Sequence, residues 1–167
     1  NEEIKPFVFL FLANCYLETR HMFKYKVRQI KNYNWVPLKK FEECDVRFKK
    51  LGISKTSKYE LVQKRKFDSY SEVCGAFDCL DEENNVLYEF KCVDALNIEH
   101  YLQLVIYMYI HNDPDTKYVL YNILTNEYVE IEYDKDKVEY IVKTLVEEKR
   151  ERNKLKLTDE EFSKQNL

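Results

Sequence analysis

The sequence is poor in chain breakers: two glycines and three prolines in 167 residues. That excludes collagen-like repeats and Gly/Ser linker architectures. It has five cysteines, at positions 15, 44, 74, 79 and 92, but no CxxC pair. These spacings match no common zinc or iron–sulfur ligand pattern. The odd number, with no secretory leader in view, is read as reduced thiols in an intracellular protein, nuclear or cytoplasmic. Long apolar runs are missing too. The stretch from Phe7 to Ala13 falls far short of the roughly 20 residues a membrane-spanning helix needs, so no membrane partner is expected.

What is present points to a packed domain. Hydrophobic residues make up 45% and aromatics 15%, including 14 Tyr and 10 Phe, a composition intrinsic disorder cannot have. The length suits one domain able to bury a core. The net charge of −3 conceals an asymmetry. Arg20 to Lys66 holds 15 Lys/Arg against 4 Asp/Glu, whereas 67–167 holds 11 against 23. A basic front third on an acidic protein is a candidate polyanion footprint, although solvated helix faces give the same count.

Periodicity predicts the element order ααβββαββα, an α/β (α+β) domain with a central mixed sheet flanked by helices. Helices are expected at 6–31 and 38–50, the second with Phe41, Cys44 and Phe48 on one face. Strands follow at 59–63 and 73–80. A polar turn at 81–85 joins the latter to an alternating strand at 86–93, closing a hairpin. Residues 97–111 read as a helix apolar nearly all round and hence buried. A second hairpin is expected over 117–133, turning at Thr125-Asn126. A charged amphipathic helix is expected over 135–154, with Val138, Ile141, Leu145 and Val146 inward. Cys74, Cys79 and Cys92 are read as small buried strand residues. The organisation is then a helical N-terminal part (about 6–50), a core (about 59–111) and a C-terminal hairpin and helix (about 117–154).

The hairpin is where chemistry concentrates. It sets Asp78 on one strand, and Glu89 and Lys91, two residues apart and so on one face, on its neighbour. Facing residues across such a ladder lie about 5 Å apart at Cβ. Two carboxylates so placed can hold a hard cation such as Mg²⁺, with a lysine beside them to stabilise charge on a phosphate. A surface Glu–Lys pair on an edge strand has the same spacing. Gln103 and Tyr107, four apart on the next helix, share a face and bring polar tips into an apolar stretch.

Together, Gly75-Ala76-Phe77-Asp78, Glu89-Phe90-Lys91 and Gln103-Leu104-Val105-Ile106-Tyr107 resemble the PD-(D/E)XK nuclease superfamily, most of all its RecB-like and lambda-exonuclease-like branch. The resemblance covers about residues 59–111 and implies a restriction-endonuclease-like core. It further implies a Mg²⁺- or Mn²⁺-dependent deoxyribonuclease. Asp78, Glu89 and the backbone carbonyl of Phe90 would bind the metal. Lys91 would position the attacking water. Gln103 and Tyr107 would shape the site or contact the DNA strand, and Gly75 would allow close backbone packing. That branch usually adds a ligand from an upstream helix. His21 is the favoured candidate here, with Glu18 and Glu60 as alternatives. The cysteine cluster of iron–sulfur members is missing, since no Cys follows Cys92.

The expected partner is DNA, with Tyr25, Tyr33, Trp35 and Phe41 interleaved among the basic residues to stack bases. The chain opens on Asn1 rather than Met and is read as a module of a larger polypeptide, such as a helicase or recombination protein. Its Lys-, Asn- and Tyr-rich composition suggests an AT-rich genome, viral or protist, and with it a viral factory as a further location. The alternative is a catalytically inactive module on the same fold that binds nucleic acid or docks on protein.

Overall fold

The structure is a computed structural model that describes residues 38–154. The chain divides into two compact units, Asn1–Gly52 and Ile53–Leu167. In the first unit the described element is α1 (Leu38–Lys50). Phe41, Cys44 and Phe48 form its half-buried stripe. Arg47, Lys49 and Lys50 gather in its last turn, where they complement the carbonyl end of the helix dipole. The helix expected at 6–31, with Glu18 and His21, lies outside the described residues.

The second unit holds β1 (Lys58–Lys66), β2 (Glu72–Asp81), β3 (Val86–Lys91), α2 (Ile98–His111), β4 (Lys117–Asn122), β5 (Glu127–Ile131) and α3 (Lys135–Lys154). The five strands form one mixed sheet in the order β1-β2-β3-β4-β5. All neighbours are antiparallel except β3 and β4, which run parallel. A parallel pair needs a crossover of a dozen residues or more, and α2 provides it. Lysines and an arginine on β1, at positions 58, 64, 65 and 66, guard one outer edge against further strand pairing.

Local chemistry sets the ends of α2. The Asn97 side chain accepts from the N–H groups of Glu99 and His100, at 3.0 and 3.2 Å, while His100 Nδ1 accepts from the Asn97 N–H at 3.0 Å. This reciprocal box satisfies amides that the first helical turn leaves unpaired. At the other end Asn112 turns left-handed at φ 54° and its N–H donates to the Met108 carbonyl.

The core lies between the sheet and α2. Leu104 and Met108 meet Phe77, Leu80, Leu87, Tyr118 and Leu120, with Val138 and Val142 added from α3. Each such side chain contributes about 1.5–3 kcal/mol on burial. Two expectations need correction. The helix is not apolar all round: Leu104 to Ile110 carry its buried residues, but Ile98 is 70% exposed. On α3, Val142 is the most deeply buried residue, at 1% exposure, while Ile141, Leu145 and Val146 are only half-buried.

Candidate active site

The β2–β3 ladder is short. It pairs Asp81 with Val86, Leu80 with Leu87 and Cys79 with Tyr88. The next pair would be Asp78 and Glu89, and there backbone pairing gives way to a side chain: the Phe90 N–H donates to Asp78 Oδ2 at 2.8 Å. A carboxylate thus occupies the place of a strand carbonyl. Both acids lie just past the end of the backbone ladder, where the two strands part.

The face of this gap is set by β3. Leu87 packs into the core under α2, so the period of two turns Glu89 and Lys91 toward the same helix. Lys91 Nζ donates to Glu89 Oε1 and, at 2.8 Å, to Gln103 Oε1. Gln103 Nε2 donates to the Tyr107 hydroxyl at 2.8 Å. The chain Glu89–Lys91–Gln103–Tyr107 links strand to helix. It can form because Gly75 lets α2 approach. A Cβ at Gly75 would lie 2.8 Å from Tyr107 Cε1 and 3.1 Å from Ile110 Cδ1, closer than carbon atoms pack. The Tyr107 ring also sits 5.2 Å from that of Phe77.

Glu89 is the electrostatic centre. It is fully buried, and its Oε2 is, among the described residues, the one buried side-chain oxygen without a hydrogen-bond partner. Burial pushes its pKa up, to about 7; the Asp78 charge acts in the same direction, and Lys91 opposes both. Two ionised carboxylates cannot hydrogen-bond to each other, because neither carries a proton. A shared proton, or the Lys91 ammonium already bonded to Glu89, relieves the repulsion between them. Tyr107 is pushed up to about 12, first by burial and then by the charges of Glu89, Asp78 and Glu60, while its bond with Gln103 opposes the shift.

The structure therefore brings Asp78, Glu89, Lys91, Gln103, Tyr107 and the Phe90 peptide together, on β2, β3 and α2. His21 lies outside the described residues. Among the described residues no group of three or more His, Cys, Asp or Glu comes to metal-ligand spacing. Of the cysteines, Cys79 is buried as expected, but Cys74 and Cys92 are exposed, which corrects their reading as core residues. A hollow of about 440 Å³, lined by Phe67, Val73, Cys74, Ile106, Leu145 and Arg150 among others, contains none of the site residues.

The basic segment is partly spent on the fold. Of the ten Lys and Arg between positions 38 and 66, Arg47, Lys49, Lys58, Lys64 and Arg65 pair with Glu43, Asp45, Glu82, Glu72 and Glu139. Arg65 also donates to the Tyr109 carbonyl and lies 4.3 Å above the Tyr109 ring. Among the described residues no helix is long and apolar enough to cross a membrane.

No family model and no curated protein matches the chain. Among solved structures, a crystal structure of SSO0001 superposes on it with a TM-score of 0.43 and 16% identity, covering 82% of this chain and 73% of that one. A likeness that distant carries no argument about function.

Proposed function

We propose that the chain is a divalent-cation-dependent nuclease that hydrolyses DNA phosphodiester bonds at the Asp78–Glu89–Lys91 cluster. The observation that carries this is the partnerless oxygen of a fully buried Glu89 beside a second carboxylate. A buried charge persists only when it is paired or holds a metal. Lys91 serves one oxygen of Glu89 and leaves the other buried without a partner.

The donors fit Mg²⁺ or Mn²⁺. Asp78, Glu89 and the Phe90 carbonyl are all hard oxygen ligands. Mg²⁺ commonly takes one or two carboxylates and keeps several waters, so two side chains satisfy it without a third. When bound, such a cation polarises the phosphate and neutralises charge as it builds. The remaining work falls to this chain's residues. Gln103 and Glu89 hold the Lys91 ammonium from two sides, so it meets a phosphate already oriented. A preorganised cation of this kind stabilises the developing oxyanion more than the ground state. Tyr107 fixes the amide of Gln103 and thereby its direction.

The test is cleavage of end-labelled linear DNA and of closed circular DNA with Mg²⁺, Mn²⁺ or EDTA. Cleavage that requires the cation and disappears in Glu89→Gln supports the reading. If no divalent cation supports cleavage, and Lys91→Ala weakens DNA binding no more than other lysine changes do, the domain is a binding module instead.

A further inference from the structure

Asn122 is a polar residue in an apolar place. It ends β4, directly after Tyr118, Val119, Leu120 and Tyr121, and is fully buried. Asn is depleted in strands, and burying an amide costs free energy unless its donors and acceptor find partners. Both ends of this amide are used. Nδ2 donates to the Val93 carbonyl at 2.7 Å, while Oδ1 accepts from the Val93 N–H at 3.2 Å and from the Leu124 N–H at 3.3 Å. The Leu124 bond is local, of the kind that Asn and Asp side chains make with backbone two residues on. An aspartate would make it equally well. The bond to the Val93 carbonyl spans 29 residues of sequence and needs a donor, which an ionised aspartate lacks.

Val93 lies at the exit of the strand that carries the site. In the β3–β4 register Lys91 stands beside Asn122, and the Ile123 N–H donates to the Lys91 carbonyl at 2.8 Å. The Asn122 amide then takes both backbone groups of Val93, so a side chain continues the ladder past Lys91. On the other side β3 has little support. Its backbone pairing with β2 stops at Tyr88, and beyond that the Phe90 N–H reaches Asp78. The segment that bears Glu89 and Lys91 is therefore held mainly from β4. From Val93 the chain passes through 94–96 to Asn97, the cap of α2, the helix that carries Gln103. The clamp thus stands between the two residues that meet where Lys91 Nζ donates to Gln103 Oε1.

We propose that Asn122 is a positioning residue: by clamping Val93 it fixes the backbone from which the Lys91 ammonium is aimed. Its effect on cleavage rests on the reading of this site as a nuclease. A lysine is a point charge on a flexible four-carbon stem, so its placement depends on a fixed backbone as well as on its acceptors. A misplacement of about 1 Å caused by a change away from the chemistry can cost roughly 10²-fold in rate.

The experiment compares the full chain as wild type, Asn122→Leu, Lys91→Ala and the double variant. Asn122→Ser, smaller and still polar, is run alongside as a variant less disruptive to folding, and urea unfolding of each is recorded. Two readouts are taken. One is kcat and KM for Mg²⁺-dependent cleavage of linear DNA. The other is the rate at which acetic anhydride acetylates Lys91, read by mass spectrometry against Lys58, which pairs with Glu82 on the edge strand. Both Asn122 variants are expected to lower kcat by about 10²-fold with KM within twofold of wild type. On the Lys91→Ala background Asn122→Leu is expected to cause no further loss, because both changes act through one ammonium. Lys91 is expected to acetylate severalfold faster relative to Lys58. An equal further loss on the Lys91→Ala background makes Asn122 a general structural residue and overturns the proposal. So do cleavage and acetylation both within twofold of wild type. If wild type cleaves no DNA with any divalent cation, the nuclease reading falls and acetylation alone decides the clamp: faster reaction of Lys91 upholds it, and an unchanged rate overturns it.

Discussion

Asp81 and Glu89 are both fully buried carboxylates on the same hairpin, yet the two ends of that hairpin treat them in opposite ways. At the closed end Asp81 accepts from the Ser54 N–H at 3.0 Å and from Asn84 Nδ2 at 2.7 Å. Burial pushes its pKa up, but those hydrogen bonds outweigh it and hold the carboxyl below its ordinary range. At the open end, burial wins and Glu89 rises to about 7. Both are shut off from water, but Glu89 is the more deeply enclosed. Asp81 also has neutral donors, from Ser54 and from Asn84 in the turn, and Glu89 has none to match them. The first acid is an internal cap that ties the turn to the segment before β1, and the second keeps one oxygen without a hydrogen-bond partner.

The largest effect expected from this contrast is on chemistry. Lys91→Ala removes the preorganised cation and should lower the single-turnover cleavage rate by about 10²–10³. DNA affinity, shared among many basic residues, should stay within about tenfold. A rate loss matched by an equal affinity loss would make Lys91 a mere phosphate contact.

Next is the closed end. Asp81→Ala strands the Ser54 N–H and the Asn84 amide and should cost about 3 kcal/mol in urea unfolding. If the loss proves negligible, Asp81 is no lock and the contrast fails. Gly75→Ala follows, with a cost of about 1–3 kcal/mol from overpacking against Tyr107 and Ile110. It should also cut cleavage, because the Tyr107–Gln103–Lys91 chain must move; a variant fully active and as stable as wild type would show that α2 does not need this close approach.

The last effect is in pH. In EDTA the Glu89 pKa is raised from its ordinary 4.5 to about 7, so the folded state holds this proton more tightly than the unfolded chain. The corresponding stability is fully present below pH 4.5 and is lost as pH rises through about 7. Wild type should therefore lose stability over this window relative to Glu89→Gln, and Mn²⁺ should restore it. Parallel pH profiles for the two proteins in EDTA would remove the electrostatic part of the comparison.

Local chemistry alone determined a great deal here. The extents of α1 and α3 follow from period and charge, and 38–50 and 135–154 are read directly as helices that the structure keeps. Asn97, Asn112 and Asn126 punctuate where short polar side chains can cap or turn left-handed. The i, i+2 relation of Glu89 and Lys91 and the i, i+4 relation of Gln103 and Tyr107 are local geometry too, and the polar turn between β2 and β3 made neighbours of Asp78 and Glu89. Other features depend on which segments meet, which no local window contains. The parallel pairing of β3 with β4, the early end of the β2–β3 ladder, the exposure of Cys74 and the left-handed Glu60 opposite Asp78 are of this kind. So is the full burial of Glu89, since a residue's exposure is set by what packs over it. An alternating strand specifies which side chains share a face; only the helix laid across that face decides which of them lose water, and with it which carboxylate keeps an oxygen without a hydrogen-bond partner.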